Sequence, residues 1–191
     1  MKYFHSVSAV TLTVVLAITF FAGPAAAQTP KAEFSAGYQF THVPDLNFPA
    51  GWYVDIAGNV HPMLAVVFEA AGAYKSESEQ VGNTTVDATA KLHTFLGGVR
   101  IASRANPAVT PFVQVLAGAA NASAGGSSTG GGPTVSVSDS DTQFALQAGG
   151  GVNLNVSQRW GVRVGADWRR IFVSDGGENE FRVVAGLVIP F

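Results

Sequence analysis

Hydrophobic and polar residues alternate along most of the chain after residue 31. The clearest case is 181–191, where one set of alternate positions is entirely apolar, from Phe181 to Phe191. The intervening positions are mixed and contain the only charge of this segment, Arg182. A period of two residues is typical of a β-strand whose two faces meet different environments. The length also suits a tilted strand that crosses a membrane, which needs roughly 9–11 residues.

Seven earlier segments repeat this alternation, so the chain is predicted to form eight strands. The phase is least clear in 91–101, because Leu92 and Leu96 fall on its polar face while Lys91 and His93 fall on its apolar face. The seven segments are 32–41, 52–60, 64–75, 91–101, 109–119, 143–156 and 160–172.

The connections between these segments alternate in length. Four of them, mostly long and polar, are predicted to be loops: 42–50, 76–89, 121–141 and 174–179. The other three are short turns. Transmembrane barrels show this asymmetry, with longer loops outside the cell and short turns on the periplasmic side.

Residues 1–27 have the pattern of a cleavable secretory signal peptide. Lys2 supplies a positive start, an apolar run follows from Val7 to Phe21, and Ala25–Ala27 form a small-residue cleavage site. The apolar run is short for a membrane-spanning helix, which needs about 20 residues. Cleavage would leave 28–191 as a single domain.

Composition narrows the class of protein. Without Lys2, the 11 basic residues become 10 against 13 acidic, a net charge of −3 that argues against a nucleic-acid partner. The chain has no cysteine, 22 glycines and only 13% charged residues, against roughly 25% in an average soluble domain. No segment of 28–191 has the length of a transmembrane helix. A membrane-crossing form would therefore be a closed barrel.

The apolar face of the predicted sheet is expected to point outward. It holds most of the large aromatic residues, and an eight-stranded barrel is too narrow inside to hold them. The opposite face combines small residues with a few charges, which we expect to pair inside the barrel with Gln39, Gln114, Gln147 and Asn153, because an unpaired buried charge costs several kcal/mol. The predicted lumen network consists of Glu33, Asp55, Glu69, Arg100, Arg163, Asp167, Arg169 and Arg182.

Aromatic residues lie near the predicted strand ends, as in the girdles that mark both membrane interfaces. The predicted girdle consists of Phe40, Trp52, Tyr74, Phe144, Trp160, Phe172, Phe181 and Phe191.

The eight alternating segments and the aromatic Phe191 resemble the OmpA/OmpX-like small outer-membrane β-barrel family. The resemblance covers 32–191 and implies an all-β protein, an eight-stranded antiparallel up-and-down transmembrane barrel in the outer membrane of a Gram-negative bacterium. It implies a monomer, in contact with outer-membrane lipid and lipopolysaccharide, that the barrel-assembly machinery recognises through Phe191. The periplasmic peptidoglycan-binding domain of some relatives is not expected here. The expected role is structural or surface-interacting, with any binding in the loops 76–89 and 121–141.

Three alternatives stay open. A narrow passive pore would use the same lumen, and a soluble lipocalin-like binding barrel would show the same alternation. Some eight-stranded relatives are enzymes that modify lipid A with a histidine, a serine and an acid near the outer rim. Here His93 lies near that rim without a matching serine on its strand. The sequence therefore predicts no catalytic, cofactor-binding or metal site.

Overall fold

A computed structural model of the protein describes residues 29–44, 46–81, 84–129, 135–173 and 176–191. The predicted signal peptide lies outside these residues. None of the described residues belongs to a helix that is long and apolar enough to cross a membrane. The strands are β1 (Ala32–Val43), β2 (Leu46–Phe48), β3 (Ala50–His61), β4 (Leu64–Val81), β5 (Thr84–Ala102), β6 (Val109–Thr129), β7 (Val135–Asn155), β8 (Gly161–Val173) and β9 (Gly176–Pro190).

These strands form one closed antiparallel sheet. From β3 to β9 each strand pairs with its neighbours in sequence, β1 pairs with β3, and β1 also pairs with β9 to close the cylinder. The short β2 pairs only with the outer end of β1, so the barrel itself has eight strands. The predicted eight-stranded up-and-down barrel is confirmed. Closure leaves no strand edge exposed within the barrel wall.

The apolar face of the sheet points away from the barrel axis. Phe34, Val164 and Leu187, taken from three different strands, are 40%, 43% and 53% exposed. Their sequence neighbours on the opposite face are buried, apart from the half-buried Gly186. The outward apolar band and the polar interior are the arrangement expected of a barrel that sits in a membrane.

The prediction of long loops was wrong, because most of those residues are strand. β4 and β5 stay paired out to Val81 and Thr84, and β6 and β7 out to Ser128 and Val135. These extensions are rich in Ser, Thr, Gly and Ala and lack an apolar period, because they rise past the outward apolar band. Hydrophobic alternation therefore could not reveal them.

The first and last predicted loops are also shorter than expected. The stretch 42–50 contains β2, which pairs Thr41 with Phe48, and β9 begins within 174–179, at Gly176. Pro49 separates β2 from β3. Proline cannot donate a ladder hydrogen bond and is found at such interruptions.

The seam between β1 and β9 depends on two glycines that face each other, Gly37 and Gly186. A Cβ atom on Gly186 would lie 2.3 Å from the Ala36 carbonyl oxygen and 2.7 Å from the Tyr53 hydroxyl. Tyr53 is only 1% exposed and fills the lumen at this level. A side chain at Gly186 would therefore displace the seam or Tyr53.

We expect Gly186→Val to destabilise the barrel by about 1–3 kcal/mol, the usual cost of overpacking a filled interior. The matched control is Gly58→Val, because a Cβ on the outward-facing Gly58 would meet no atom within 4 Å. The measurement is the urea midpoint of unfolding in detergent micelles, followed by the mobility change of the folded barrel on boiling. Equal midpoints for the two variants would contradict the packing argument.

Candidate functional site

The barrel lumen collects the charged side chains of the inward face. All eight side chains of the predicted lumen network are buried: the four arginines are each 1% exposed, and the four acids are 3–5% exposed. The structure adds Glu180 and Arg104 to this set. Five carboxylates therefore face five guanidinium groups, so the lumen carries no net charge.

A first group of these side chains, the turn-side cluster, lies toward the short turns. Its centre is Asp55, whose Oδ2 lies 2.5 Å from Arg163 Nη1 and 3.3 Å from Arg100 Nη2. Glu33 lies 2.6 Å from Arg104 and 3.6 Å from Arg163. Buried charges are tolerated when they are paired and hydrogen-bonded, which is the situation of these groups.

A second group, the mid-lumen cluster, is centred on Arg182. Its Nη1 lies 2.8 Å from Glu69 and its Nη2 lies 2.7 Å from Asp167. Nη1 also donates to Gln39 Oε1 at 3.0 Å. Arg182 thus neutralises two carboxylates on different strands and ties β9 to β4, β8 and β1.

Amide side chains complete the network, as the sequence predicted for Gln39, Gln114, Gln147 and Asn153. Gln114 accepts from Arg100 at 2.8 Å and donates to Asp167 at 3.2 Å, which joins the two clusters. Gln147 accepts from Arg169 at 2.7 Å, and Asn153 accepts from Arg163 at 2.8 Å. Amides can both accept and donate, so Gln114 links a guanidinium group to a carboxylate.

An apolar cluster fills the outer end of the lumen. Leu92, Leu96, Leu116, Phe48 and Ile171 are buried together there. This explains why leucines lie on the polar face of the segment 91–101: the interior is ionic at mid-height and apolar near the outer rim.

Little open space remains in the ionic part of the lumen. The cavity bordered by Asp55, Glu69, Arg100, Asp167 and Arg182 has a volume of about 10 Å³. That is about the space of one water molecule. The interior is filled by its own side chains, as eight strands allow.

Sequence reasoning missed Glu180 and Arg104 for different reasons. Glu180 falls in the same alternation as Arg182, but it lay just before the predicted final strand. It is 3% exposed and lies 3.2 Å from Arg169. Arg104 follows β5 in a turn, where strand alternation assigns no face, and it donates to the Pro62 carbonyl at 2.6 Å.

The predicted girdle residues belong to the outward alternation, but Tyr74 and Phe144 lie within β4 and β7 rather than at strand ends, because these strands continue past them. Trp52, Phe144, Trp160, Phe172, Phe181 and Phe191 are 38–62% exposed, while Phe40 and Tyr74 are half-buried. Trp160 and Phe191 lie at the turn end, and the others lie toward the hairpin end. Two separated aromatic bands mark the two interfaces of a membrane.

The family comparison agrees with the closed barrel and its outward apolar band. Residues 13–187 match the family described as "Outer membrane protein beta-barrel domain". The chain belongs to this outer-membrane β-barrel family. The protein is accordingly an integral protein of the bacterial outer membrane. In barrels of this kind the short turns lie on the periplasmic side and the long hairpins lie outside the cell.

Several solved structures share this barrel fold. Ail, the attachment invasion locus protein of Yersinia pestis, has 17% identity and a TM-score of 0.55, over 85% of this chain and 100% of Ail. The outer-membrane protease OmpT of Escherichia coli has 10% identity and a TM-score of 0.52, over 84% and 96%. Neisserial surface protein A has 12% identity and a TM-score of 0.50, over 84% and 96%. No curated protein matches the sequence.

Four strands of this outer-membrane barrel continue beyond the rim as an outer sheet. It consists of Lys75–Val81, Thr84–Ala90, Asn121–Thr129 and Val135–Gln143. The pairing of β3 with β4 ends at Tyr74, and that of β8 with β7 ends at Phe144. The outer sheet therefore has two edges without a neighbouring strand among the described residues.

The two faces of the outer sheet differ. The face that continues the outer wall carries mainly hydroxyl and amide side chains, including Ser123, Ser138 and Ser140. The opposite face borders a hollow of about 410 Å³ lined by Ala88, Ala90 and Val137. A Lys75–Glu77 ion pair of 2.8 Å lies at its margin.

We expect Arg182→Gln to destabilise the barrel by about 3–5 kcal/mol, because it leaves Glu69 and Asp167 buried without their main cation. Arg170→Gln is the control. Arg170 is only half-buried on the outward face and makes a long 3.5 Å contact with Asn179. Urea unfolding in micelles measures both variants. A loss below about 1 kcal/mol for Arg182→Gln would contradict its role as the centre of the mid-lumen cluster.

Proposed function

We propose that this protein is a non-enzymatic surface-recognition barrel whose outer sheet binds extended polypeptide segments at the cell surface. The observation that carries the proposal is the edge of β7, Val135–Gln143, which pairs with no strand on that side among the described residues. The lumen network holds the barrel wall together, and the strands of the outer sheet are direct extensions of that wall.

The β7 edge suits recognition by strand addition. An edge strand presents a row of unpaired N–H and C=O groups, and an extended peptide can add to it as a further strand. The segment Val135–Gln143 contains no proline, which would remove a donor. Among the described residues, no strand pairs with this edge, because the pairing of β7 with β8 stops at Phe144.

The charges of the outer sheet select the kind of segment that would bind. Asp139 and Asp141 lie on the β7 edge and are exposed. Glu77 and Glu79 lie on the opposite edge, where Lys75 pairs with Glu77. Complementary potentials favour encounter and suppress wrong partners, so the preferred segment carries Lys or Arg.

Three synthetic peptides test this proposal by fluorescence anisotropy with the protein in detergent micelles. The first alternates Thr with Lys, the second alternates Thr with Glu, and the third repeats the first with N-methyl groups along one edge. We expect the first to bind at least tenfold more tightly than the others. N-methylation keeps the charge but removes backbone donors, so equal binding of the first and third peptides would contradict strand addition.

The matched variants are the Asp139→Asn/Asp141→Asn pair and Asp87→Asn. Asp87 lies on β5 in the middle of the sheet, where it accepts from the Ser78 hydroxyl at 2.5 Å. The edge pair should weaken the basic peptide, and Asp87→Asn should leave it unchanged. A uniform loss in both would indicate attraction by total charge rather than by this edge.

The non-enzymatic part of the proposal is supported by the surroundings of His93. Among the described residues, its ring hydrogen bond is to the hydroxyl of Tyr74, at 3.0 Å from Nε2. A histidine that activates a serine needs that serine within hydrogen-bond reach. One similar structure is a protease, but a shared fold does not carry a shared activity.

We expect cells that express the wild-type protein and cells that express His93→Ala to have the same lipid A mass spectrum. The reason is that His93 has a phenol rather than a nucleophile beside it. The control is a strain that lacks the gene. A new lipid A species that appears with the wild type and disappears with His93→Ala would contradict the non-enzymatic assignment.

The other partner assignments stay predictions. The small cavity in the lumen favours a structural interior over the passive-pore alternative. Recognition of Phe191 by the barrel-assembly machinery is consistent with the 62% exposure of that ring at the periplasmic end of β9. A monomeric state and the absence of a nucleic-acid partner also remain expectations.

A further inference from the structure

Val137 is an apolar side chain that lies uncovered above the membrane. It is 70% exposed, the highest value for a large apolar side chain among the described residues. It lies seven residues beyond Phe144 on β7, which corresponds to about 23 Å along the strand. The aromatic band that marks the outer interface of the membrane lies at the height of Phe144. Contact with hydrocarbon therefore does not explain why an apolar residue is exposed at Val137.

The sheet is open beside Val137, on the face that borders the hollow of about 410 Å³. Gly126 lies directly opposite Val137 on β6, and Ala88 lies opposite Gly126 on β5. A Cβ atom on Gly126 would make one ordinary contact, with the Asp87 carbonyl oxygen at 3.7 Å. Packing within the protein therefore does not require a glycine there. The small residues of this row leave room for a side chain that approaches across the β7 edge.

Asp139 and Asp141 follow Val137 on the same face of β7. Side chains two residues apart point to the same side of a strand, and both Val137 and Asp139 line the hollow. The residues directly opposite the two acids on β6 are Ala124 and Ala122, so no positive charge faces either acid across that pairing. The β7 edge thus presents an apolar residue and two carboxylates in a fixed order.

We propose that the β7 edge recognises a defined order of residues, Lys-x-Lys-x-Φ from the N-terminus, where Φ is a large apolar residue and x is Ser or Thr. This inference rests on the proposed strand addition and specifies the segment that the edge binds. The two lysines lie opposite Asp141 and Asp139, and Φ lies opposite Val137. The Cβ atoms of directly opposite residues are about 4.5–5.5 Å apart, so each pair is in contact. The side chain of Φ covers Val137 and extends over Gly126 into the hollow.

The antiparallel direction of the bound segment follows from the barrel. Every strand pairing of the described residues is antiparallel. On this side of β7, β8 occupies the neighbouring position up to the pair of Phe144 with Phe172. A segment bound above that pair continues the direction of β8. Antiparallel pairing is also slightly more stable per residue than parallel pairing.

Three heptapeptides test the order of residues by fluorescence anisotropy with the protein in detergent micelles. The first is Thr-Lys-Thr-Lys-Thr-Phe-Thr, the second is its reversed sequence, and the third has Lys in place of Phe. We expect the first to bind at least about fivefold more tightly than either of the others, because only it combines two opposite-charge pairs with an apolar pair in the antiparallel direction. The third carries more positive charge, so attraction by net charge alone would favour it.

Each comparison can overturn one part of the inference. Equal binding of the first and second peptides would overturn the antiparallel order, and equal binding of the first and third would overturn the apolar contact. Failure of strand addition itself gives a different result. In that case N-methyl groups along one edge of the first peptide would leave its affinity unchanged. If N-methylation weakens binding while the three unmethylated peptides bind equally, strand addition holds and only the recognised order is wrong.

Two glycine variants test the contact with the hollow. Gly126→Phe fills the space beside Val137, so we expect the affinity ratio of the first to the third peptide to fall to about one. Gly125→Phe is the matched control, because a Cβ there also makes only ordinary contacts, with Thr89 Oγ1 at 3.5 Å and the Val137 carbonyl oxygen at 3.7 Å, but belongs to the opposite face. This control should keep the ratio of the wild type.

The mobility change on boiling verifies that both glycine variants fold. An unchanged ratio in folded Gly126→Phe would overturn the contact of Φ with the hollow. If that variant does not fold, Val137→Thr tests the same contact, because it keeps the shape of the side chain and replaces a methyl group by a hydroxyl. Val137→Thr should lower the ratio, and an unchanged ratio would overturn the apolar pair.

Discussion

The structure depends on confining ionised side chains to a lumen where every carboxylate has an arginine beside it. The lumen lies within a wall whose outer face meets hydrocarbon, so its charges have little access to bulk water. Breaking a buried pair leaves a charge that neither water nor protein compensates. Arg182 shows the consequence, because it contacts Asp167 on the neighbouring strand β8 and Glu69 on β4, which is distant in the sequence. The network therefore also fixes strand order and register.

This constraint also limits the chemistry of the lumen. The charges balance over the lumen as a whole and Gln114 links the two clusters, which leaves a cavity of about 10 Å³ at mid-height. An ion that entered would have to displace these pairs. The recognition that we propose therefore lies in the outer sheet, where side chains face water. A rigid scaffold that carries its recognition surfaces at one end is a common division of labour in proteins.

The sequence predicted the barrel well because hydrocarbon and lumen impose opposite requirements on alternate residues. Phe34, Val164 and Leu187 could be assigned outward once the bulk of their face was compared with the narrow interior of eight strands. Above the rim both faces meet a polar environment, so 76–89 and 121–141 lost the alternation although they are strands. Glu180 was missed because its alternation began inside a predicted loop, and Arg104 because a turn has no faces. Pairing partners such as Asp55 with Arg163 depend on three-dimensional proximity that spacing does not encode.

Along single strands of β4–β7, the outer wall passes through three environments: hydrocarbon, the membrane interface and the polar region above it. On β5, Phe95 meets hydrocarbon, His93 lies at the interface with Tyr74, Lys91 lies among hydroxyls, and Asp87 lies in the outer sheet. All four side chains share one face, so only their height changes. Because antiparallel pairing aligns these heights across neighbouring strands, changes in individual residues become bands around the wall.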